Sequence, residues 1–359
     1  MNAVVLNAPH EISVEKRKRP GIANSKDALV KVIVAGICGS ELHPYRGQQN
    51  TTYGHVMGHE FTGIVEEVGS EVKSFKSGQH VVGTFSTACL SCWFCRYGHT
   101  NRCVNSLALG TQQIDGGQAE HVRVPNADGT LLLAPDDIDD ELLVLMSDIF
   151  PTGYYGAMRA ITQFRQPGEG VPETKLFEKQ PLSEAVFVVV GCGIVGLCAV
   201  LTAHIRGVQS VYCVDSVDDR LEQAAKMGGI PLKLGRDDIP AIVRAATDGR
   251  GADAVIESVG NKAALRSAFD LLRPCGILSS VGFHQSELPF TGLECYQKNL
   301  SINFGRAPVR AVFEEAMHFF VENKSRFSEV ISHRLSLAEA AKGYAIFDKQ
   351  EARKVVLKP

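Results

Sequence analysis

Four cysteines fall within the fifteen-residue stretch CLSCWFCRYGHTNRC at 89–103. Cys89, Cys92, Cys95 and Cys103 follow the pattern C-x2-C-x2-C-x7-C. Two-residue gaps let successive thiolates turn toward one ion, and the fourth thiolate closes the loop around it. Four sulfur ligands with no open position describe a structural tetrahedral zinc site, which staples a lobe but does no chemistry. Two other uses of clustered cysteines fit less well. Disulfide frameworks belong to small secreted domains, whereas this chain has 359 residues, 45% of them hydrophobic. Iron–sulfur runs of this kind close with x3-C-P, and here seven residues precede Cys103 and Val104 follows it. Cys192, Cys198, Cys213, Cys275 and Cys295 stand singly in apolar surroundings, so they read as small buried hydrophobes. That leaves Cys38 unexplained.

The length favours two domains. A net charge of −3 with no long basic run argues against a nucleic-acid partner. No stretch approaches the ~18 apolar residues of a membrane span. The opening MNAVVLNAPHEISVEKRKRP has no apolar core after a basic segment, so it reads as a first strand rather than a signal peptide. These features predict a cytoplasmic protein with no membrane segment.

Up to about residue 135, runs such as DALVKVIVAGIC, FTGIVEEVG and QHVVGTF are broken by glycines and polar turns, the pattern of an antiparallel, barrel-like domain. The rhythm changes near 150. AVFVVV is an apolar strand, GIVGLCAVLTAHIRG a helix opening on glycines, SVYCVD a strand and DRLEQAAKMGG a helix with a glycine stop. Such alternation predicts a doubly wound parallel sheet. The tail ends in strand-like RKVVL, which has the option of rejoining the first domain. The polar stretch 167–184, with three prolines, reads as a surface excursion.

VVVGCGIVG sets Gly191, Gly193 and Gly196 between a strand and a helix as G-x-G-x-x-G. The first glycine makes the turn, the second lets backbone approach a pyrophosphate, and the third packs helix on strand. The helix N-terminus at Ile194 and Val195 then offers unpaired N–H groups to phosphate. Asp215 ends the next strand, where an acidic side chain accepts ribose hydroxyls and repels a 2′-phosphate. NAD is therefore expected over NADP, and Arg220, a helical turn on, is the residue that would soften the preference. Val259 and Val281, at the ends of later strands, complete the candidate cofactor contacts.

Two further motifs lie in the first domain: GICGSELHPYRG, with Cys38, Ser40 and His43, and GHEFTGIVEEVGSEV, with His59 and Glu60. Here the chain resembles the zinc-dependent medium-chain alcohol dehydrogenases. Gly58, His59, Glu60, Gly63, Gly69 and Val72 match every fixed position of that family's G-H-E-x2-G-x5-[GA]-x2-[IVSAC] signature, and the cysteine quartet matches its structural zinc lobe. DGGQAEHVRVPNAD, SDIFPTGYYGA and PVRAVFEEAM look closest to the glutathione-independent formaldehyde dehydrogenase-like branch. The resemblance implies a GroES-like β-barrel catalytic domain over 1–150 and 325–359, and a Rossmann domain over 151–324. It implies two zinc ions per chain, one structural and one catalytic, together with NAD.

For the catalytic ion the resemblance names Cys38, His59 and Asp148 as ligands, with Glu60 beside them as a transient one. A catalytic zinc keeps one position open for substrate. It acts as a Lewis acid that stabilises an alkoxide while hydride leaves to the nicotinamide. Ser40 and His43 would carry the proton away, Thr152 would press on the nicotinamide, and Arg353 would meet pyrophosphate. Phe85 matches a pocket-wall position, and the polar 48–53 segment QQNTTY borders the pocket in relatives. The expected substrate is a small or moderately polar alcohol, aldehyde or ketone. A formaldehyde dehydrogenase or dismutase, and a C=C or iminium reductase, stay open. Tyr155 stands where that branch often has histidine, and 167–184 is longer than the turn usual there. The short connection after the zinc lobe implies a homo-oligomer, a tetramer or a dimer.

Overall fold

In the first 135 residues, short runs rich in β-branched and apolar side chains form strands. They are β1 (Asn2–Ala8), β2 (Glu11–Lys16), β3 (Ala28–Ile37), β4 (Phe61–Val68), β5 (His80–Gly83), β6 (His121–Val124) and β7 (Leu131–Leu133). The computed structural model describes residues 1–165 and 180–359, so most of the 167–184 excursion lies outside the described residues. Beyond it come β8 (Val186–Val190), β9 (Ser210–Asp215), β10 (Ile230–Lys233), β11 (Ala252–Glu257), β12 (Leu272–Ser280) and β13 (Ser301–Phe304). The chain ends with β14 (Ile331–Ser336) and β15 (Lys354–Lys358). Two compact units result: Met1–Pro151 with Pro308–Pro359, and Thr152–Ala307.

In the first unit, β3, β4, β5 and β7 pair in order, and β15 joins the free side of β3 with β14 beyond it. Val355 of β15 stands opposite Ile37, so the C-terminal strand braces the end of β3 where Cys38 follows. The register of β3 against β4 shifts between Val32 and Val34. That irregularity moves the inward set from Ala28, Val30 and Val32 to Ala35, all buried in one core with Phe61, Val65 and Val81. A second core, of Val4, Leu6, Ile37, Tyr344, Val355 and Leu357, lies around the end of β3 and the returning strand.

The second unit is a six-stranded sheet, ordered β10-β9-β8-β11-β12-β13, and every pairing is parallel. VFVVV of β8 is buried at all five positions, as required of a central strand covered on both faces. From β8 the chain winds outward to β9 and β10, then crosses back to β11 on the other side. This reversal puts the topological switch at the C-terminal ends of β8 and β11, the place where open α/β sheets bind ligands. The two-domain expectation holds at the level of fold: a mixed, mainly antiparallel sheet unit and a doubly wound parallel unit.

No helix among the described residues is long and apolar enough to cross a membrane. One expectation fails. Cys275 is exposed, with φ 57°. It sits between Pro274 and Gly276, where β12 slips in register against β11, and Arg273 binds its carbonyl oxygen at 3.0 Å. The bulge that Pro274 and Gly276 flank outweighs the hydrophobic character of a lone thiol. Cys192, Cys198 and Cys213 are buried, and Cys295 is half-buried.

Candidate functional site

The quartet folds as a set of turns. Cys92 caps a single helical turn, Trp93–Arg96, its sulfur accepting from the Cys95 amide at 3.5 Å. The amides of Cys89 and Asn105 point at the Cys103 sulfur at 3.3 and 3.4 Å, and the Cys92 amide points at Cys89 at 3.4 Å. One sulfur from each cysteine lies within 4.8 Å of every other. The thiols are driven apart in acidity. Burial raises Cys89, but the Ser91 hydroxyl and the Ser91 and Cys92 amides outweigh it and bring it down to about 6. Burial, with Cys92 and Cys103 alongside, pushes Cys95 up to about 12. Four clustered sulfurs with amides aimed at them suit one divalent ion, which makes all four thiolates compatible.

A second cluster gathers Cys38, His59, Glu60 and Asp148, again with one ligand atom from each within 4.8 Å. Cys38 ends β3 and opens a one-turn 3-10 helix, Gly39–Glu41. His59 and Glu60 lie just before β4. Gly58 holds φ at +100°, and a Cβ there would sit 2.6 Å from the Gln118 amide, so only glycine can turn the chain at this point. Asp148 occupies the break between the Val144–Ser147 turn and the helix Ile149–Arg165. Its neighbour Ser147 anchors that break: the Phe61 amide donates to its hydroxyl at 3.2 Å, and the Phe85 amide to its carbonyl at 3.1 Å. Phe85 meets His59 edge-on, ring centroids 6.3 Å apart.

The residues behind this cluster escaped the sequence reading. Glu41, buried, sets one carboxylate oxygen 3.2 Å from His59 Nδ1. Its other oxygen accepts from the Cys38 amide at 3.1 Å, Gln118 Nε2 at 3.0 Å and the Tyr344 hydroxyl at 3.0 Å. A carboxylate placed beside Nδ1 would leave Nε2 as the nitrogen available to a metal. Nε2 is buried, has no hydrogen-bond partner among the described residues, and faces Asp148 Oδ2 at 3.4 Å. Lys354, fully buried, pairs with Glu60 and donates to the Ile37 carbonyl at 2.9 Å. The signal for Glu41 was its position three residues after Cys38. Lys354 gave none beyond a lysine opening an apolar strand.

Charge supports the same assignment. Burial would lower the His59 imidazole, but Cys38 and Asp148 beside it hold it well above its usual value. Burial raises the Cys38 thiol, with Glu60 adding to the rise. Burial also raises Glu60, against the pull of Lys354. Such a group of thiol, carboxylates and imidazole draws a cation, and a zinc ligated by Cys38, His59 and Asp148 fits the donor set and the orphaned Nε2.

Ser40 is exposed and its hydroxyl lies 3.4 Å from the Cys38 sulfur. His43 stands in the next turn, Leu42–Tyr45. Burial lowers its pKa, aided by Arg46 and opposed by a Gln48 hydrogen bond.

In the second unit Gly191 turns with φ +91°, and Gly196 packs against its carbonyl, so a Cβ on Gly196 would also lie 3.1 Å from Ser258 Oγ. A Cβ on Gly193 would meet no atom of the described residues within 4 Å, leaving that backbone open to a ligand. Ile194 begins the helix Ile194–Ile205, with Val195 and Gly196 in its first turn. The Asp215 carboxylate accepts from the Cys192 amide at 2.8 Å and the Val217 amide at 3.0 Å, with Arg220 at 3.6 Å. Val259 packs on Gly191, and Val281 lies near Gly156. Thr152 is in the first turn of Ile149–Arg165. Arg353 lies in the first unit just before β15, its amide bound to Ser332 at 3.0 Å.

Residues 24–136 match the alcohol dehydrogenase GroES-like domain, and residues 195–322 match the zinc-binding dehydrogenase domain. The zinc-type alcohol dehydrogenase B of Aspergillus flavus is 43% identical, over 100% of this chain and 81% of its own length. The medium chain reductase/dehydrogenase ucsI of Acremonium sp is 44% identical, over 83% of this chain and 98% of its own. Among solved structures, alcohol dehydrogenase TADH from Thermus sp. ATN1 superposes with a TM-score of 0.88 at 34% identity, covering 100% of this chain and 99% of that one.

Proposed function

Because the chain belongs to the zinc-dependent alcohol dehydrogenase family, we propose that it moves a hydride between NAD and a small alcohol, aldehyde or ketone, with one catalytic and one structural zinc per chain. The cluster of Cys38, His59 and Asp148, with Glu41 fixing His59 from behind, carries this reading. When bound, the catalytic zinc supplies a Lewis acid for the substrate oxygen and the nicotinamide supplies the hydride acceptor. The chain's own residues do the rest. Ser40, held against the Cys38 sulfur, would accept the proton of the substrate hydroxyl as it gives up its own, and His43, at the solvent end of the relay, would release a proton to water. Lys354 neutralises Glu60 within the buried site, and Phe85 forms an apolar wall beside His59. A screen of alcohols and aldehydes against NAD and NADP, with zinc content measured on the same preparation, tests the reading as a whole.

A second reading, reduction of a C=C or iminium bond, draws support from the Acremonium relative, whose name includes reductase. The relay from a hydroxyl decides between the two, because only alcohol oxidation must strip a proton from a substrate hydroxyl, whereas iminium reduction takes hydride alone and C=C reduction delivers a proton to carbon. Burial keeps His43 neutral, and so able to accept, to lower pH than an exposed imidazole. His43→Ala should therefore slow alcohol oxidation by roughly 10²-fold below neutral pH. The deficit should shrink as hydroxide becomes plentiful, and added imidazole should partly restore the rate. An unchanged pH–rate profile in the variant, or no alcohol oxidised by the unaltered enzyme, would favour the reductase.

NAD preference rests on Asp215, with Arg220 as the opposing influence. Asp215→Asn keeps an acceptor for the Cys192 amide while removing the charge. It should weaken NAD by about tenfold and improve NADP, read by equilibrium binding of both. An unaltered enzyme that already prefers NADP would overturn the assignment. We also propose a cytoplasmic homo-oligomer, a tetramer or a dimer, for which light scattering is decisive: a monomer rejects it.

A further inference from the structure

Glu257 closes β11 with a fully buried carboxylate. Oε1 accepts from the amides of Val259 at 2.8 Å and Gly260 at 2.7 Å. Oε2 accepts from the Ser280 hydroxyl at 2.7 Å and His284 Nε2 at 2.8 Å. Its backbone carbonyl takes the amides of Val281 at 2.9 Å and Gly282 at 3.2 Å. Burial alone would raise this carboxyl, but His284, the Gly260 amide and Ser280 hold it below its usual value. The side chain is therefore an anion that stitches segment 258–260 to segment 280–284.

The two segments touch through backbone. A Cβ on Gly260 would lie 2.6 Å from the Phe283 amide, and one on Gly282 would lie 2.7 Å from Gly260 Cα and 2.8 Å from Glu257 Oε2. The stitched pair also reaches the glycine fingerprint, since Ser258 Oγ donates to the Gly191 carbonyl at 2.9 Å. His284 is 10% exposed, and its Nε2 stands 3.0 Å from Ser280 Oγ as well as beside Glu257. Its ring meets Phe304 edge-on at 5.8 Å, and its Nδ1 is buried with no hydrogen-bond partner among the described residues. An imidazole held so tightly on one side, at the cost of an unsatisfied nitrogen on the other, fixes geometry more than it lowers energy.

A dinucleotide lying across the switch point divides between its two sides. Asp215 at the end of β9 takes the adenosine ribose, which leaves the ends of β11 and β12 for the other half. Those ends carry Val259 and Val281 on the stitched segments. We propose that Glu257, together with Ser280 and His284, is a positioning device for the nicotinamide half of the cofactor: it locks 258–260 and 280–284 into the surface against which that half binds. The inference rests on the dinucleotide reading given above.

Binding measured without turnover separates the possibilities. NADH and ADP-ribose, which lacks the nicotinamide, are titrated into the purified full chain and into His284→Ala and Glu257→Gln. The device requires NADH to weaken by about tenfold or more while ADP-ribose stays within about twofold. The His284 variant keeps the Glu257 bonds to Val259, Gly260 and Ser280, so it carries the test if Glu257→Gln does not fold, and ADP-ribose affinity itself reports an intact fingerprint. Equal loss of both ligands would make Glu257 a general scaffold and overturn the proposal, as would no change in either. Failure of the unaltered chain to bind ADP-ribose would instead defeat the dinucleotide reading.

Discussion

Cys95→Ser is expected to leave one zinc per chain instead of two and to lower the melting temperature by roughly 10 °C or more. The lobe's own apolar core is small. Among the described residues its buried cluster is Ala88 with Cys95 and Cys103, with Cys89 and Cys92 packed against it. The large side chains of the segment face outward, Trp93 56% exposed and Tyr97 64%. Removing one sulfur therefore removes both a ligand and a third of that core. Zinc binding to such sites is worth on the order of 10 kcal/mol in isolated motifs, and even half of that is a large share of a domain's stability. Calorimetry and elemental analysis of the same sample give the answer. A fully active preparation holding one zinc per chain would sink the two-metal reading.

Local patterns were legible in the sequence and long-range ones were not. The parallel sheet was visible because β8 is apolar at every position and the glycines follow it at once. The quartet was visible because its spacing alone describes tetrahedral ligation. Glu41 remained hidden although it lies three residues from Cys38, because its role depends on His59, Gln118 and Tyr344, the last 303 residues away. Lys354 meets Glu60 across 294 positions, and neither neighbourhood announces a buried ion pair. Glu257 and His284 follow the same rule: an acid at the end of a strand means little until a second loop is folded onto it. Cys275 misled for the opposite reason, since its apolar neighbours suggested burial while Pro274 and Gly276 flank a slip in the register of β12.

The other large effect concerns Asp148, which the sequence offered only through family resemblance. Asp148→Ala should reduce turnover by about 10³-fold or more and leave the melting temperature and the quartet's zinc nearly unchanged. The fold tolerates the change because its neighbour does the structural work: Ser147 holds the Phe61 and Phe85 amides, and both bonds survive when the next side chain is cut back. The site does not tolerate it. His59 Nε2 would lose the carboxylate 3.4 Å away, and Cys38 with His59 would be left as two ligands where a catalytic zinc requires three. Glu60 is a poor substitute while Lys354 grips it, a buried pair whose breaking is costly. Asp148→Cys supplies the contrast, since a thiolate at this position restores the third ligand and its negative charge. It should regain zinc and part of the turnover that alanine loses. Activity retained in Asp148→Ala, or equal loss in both variants with the second zinc still bound, would remove Asp148 from the ligand set.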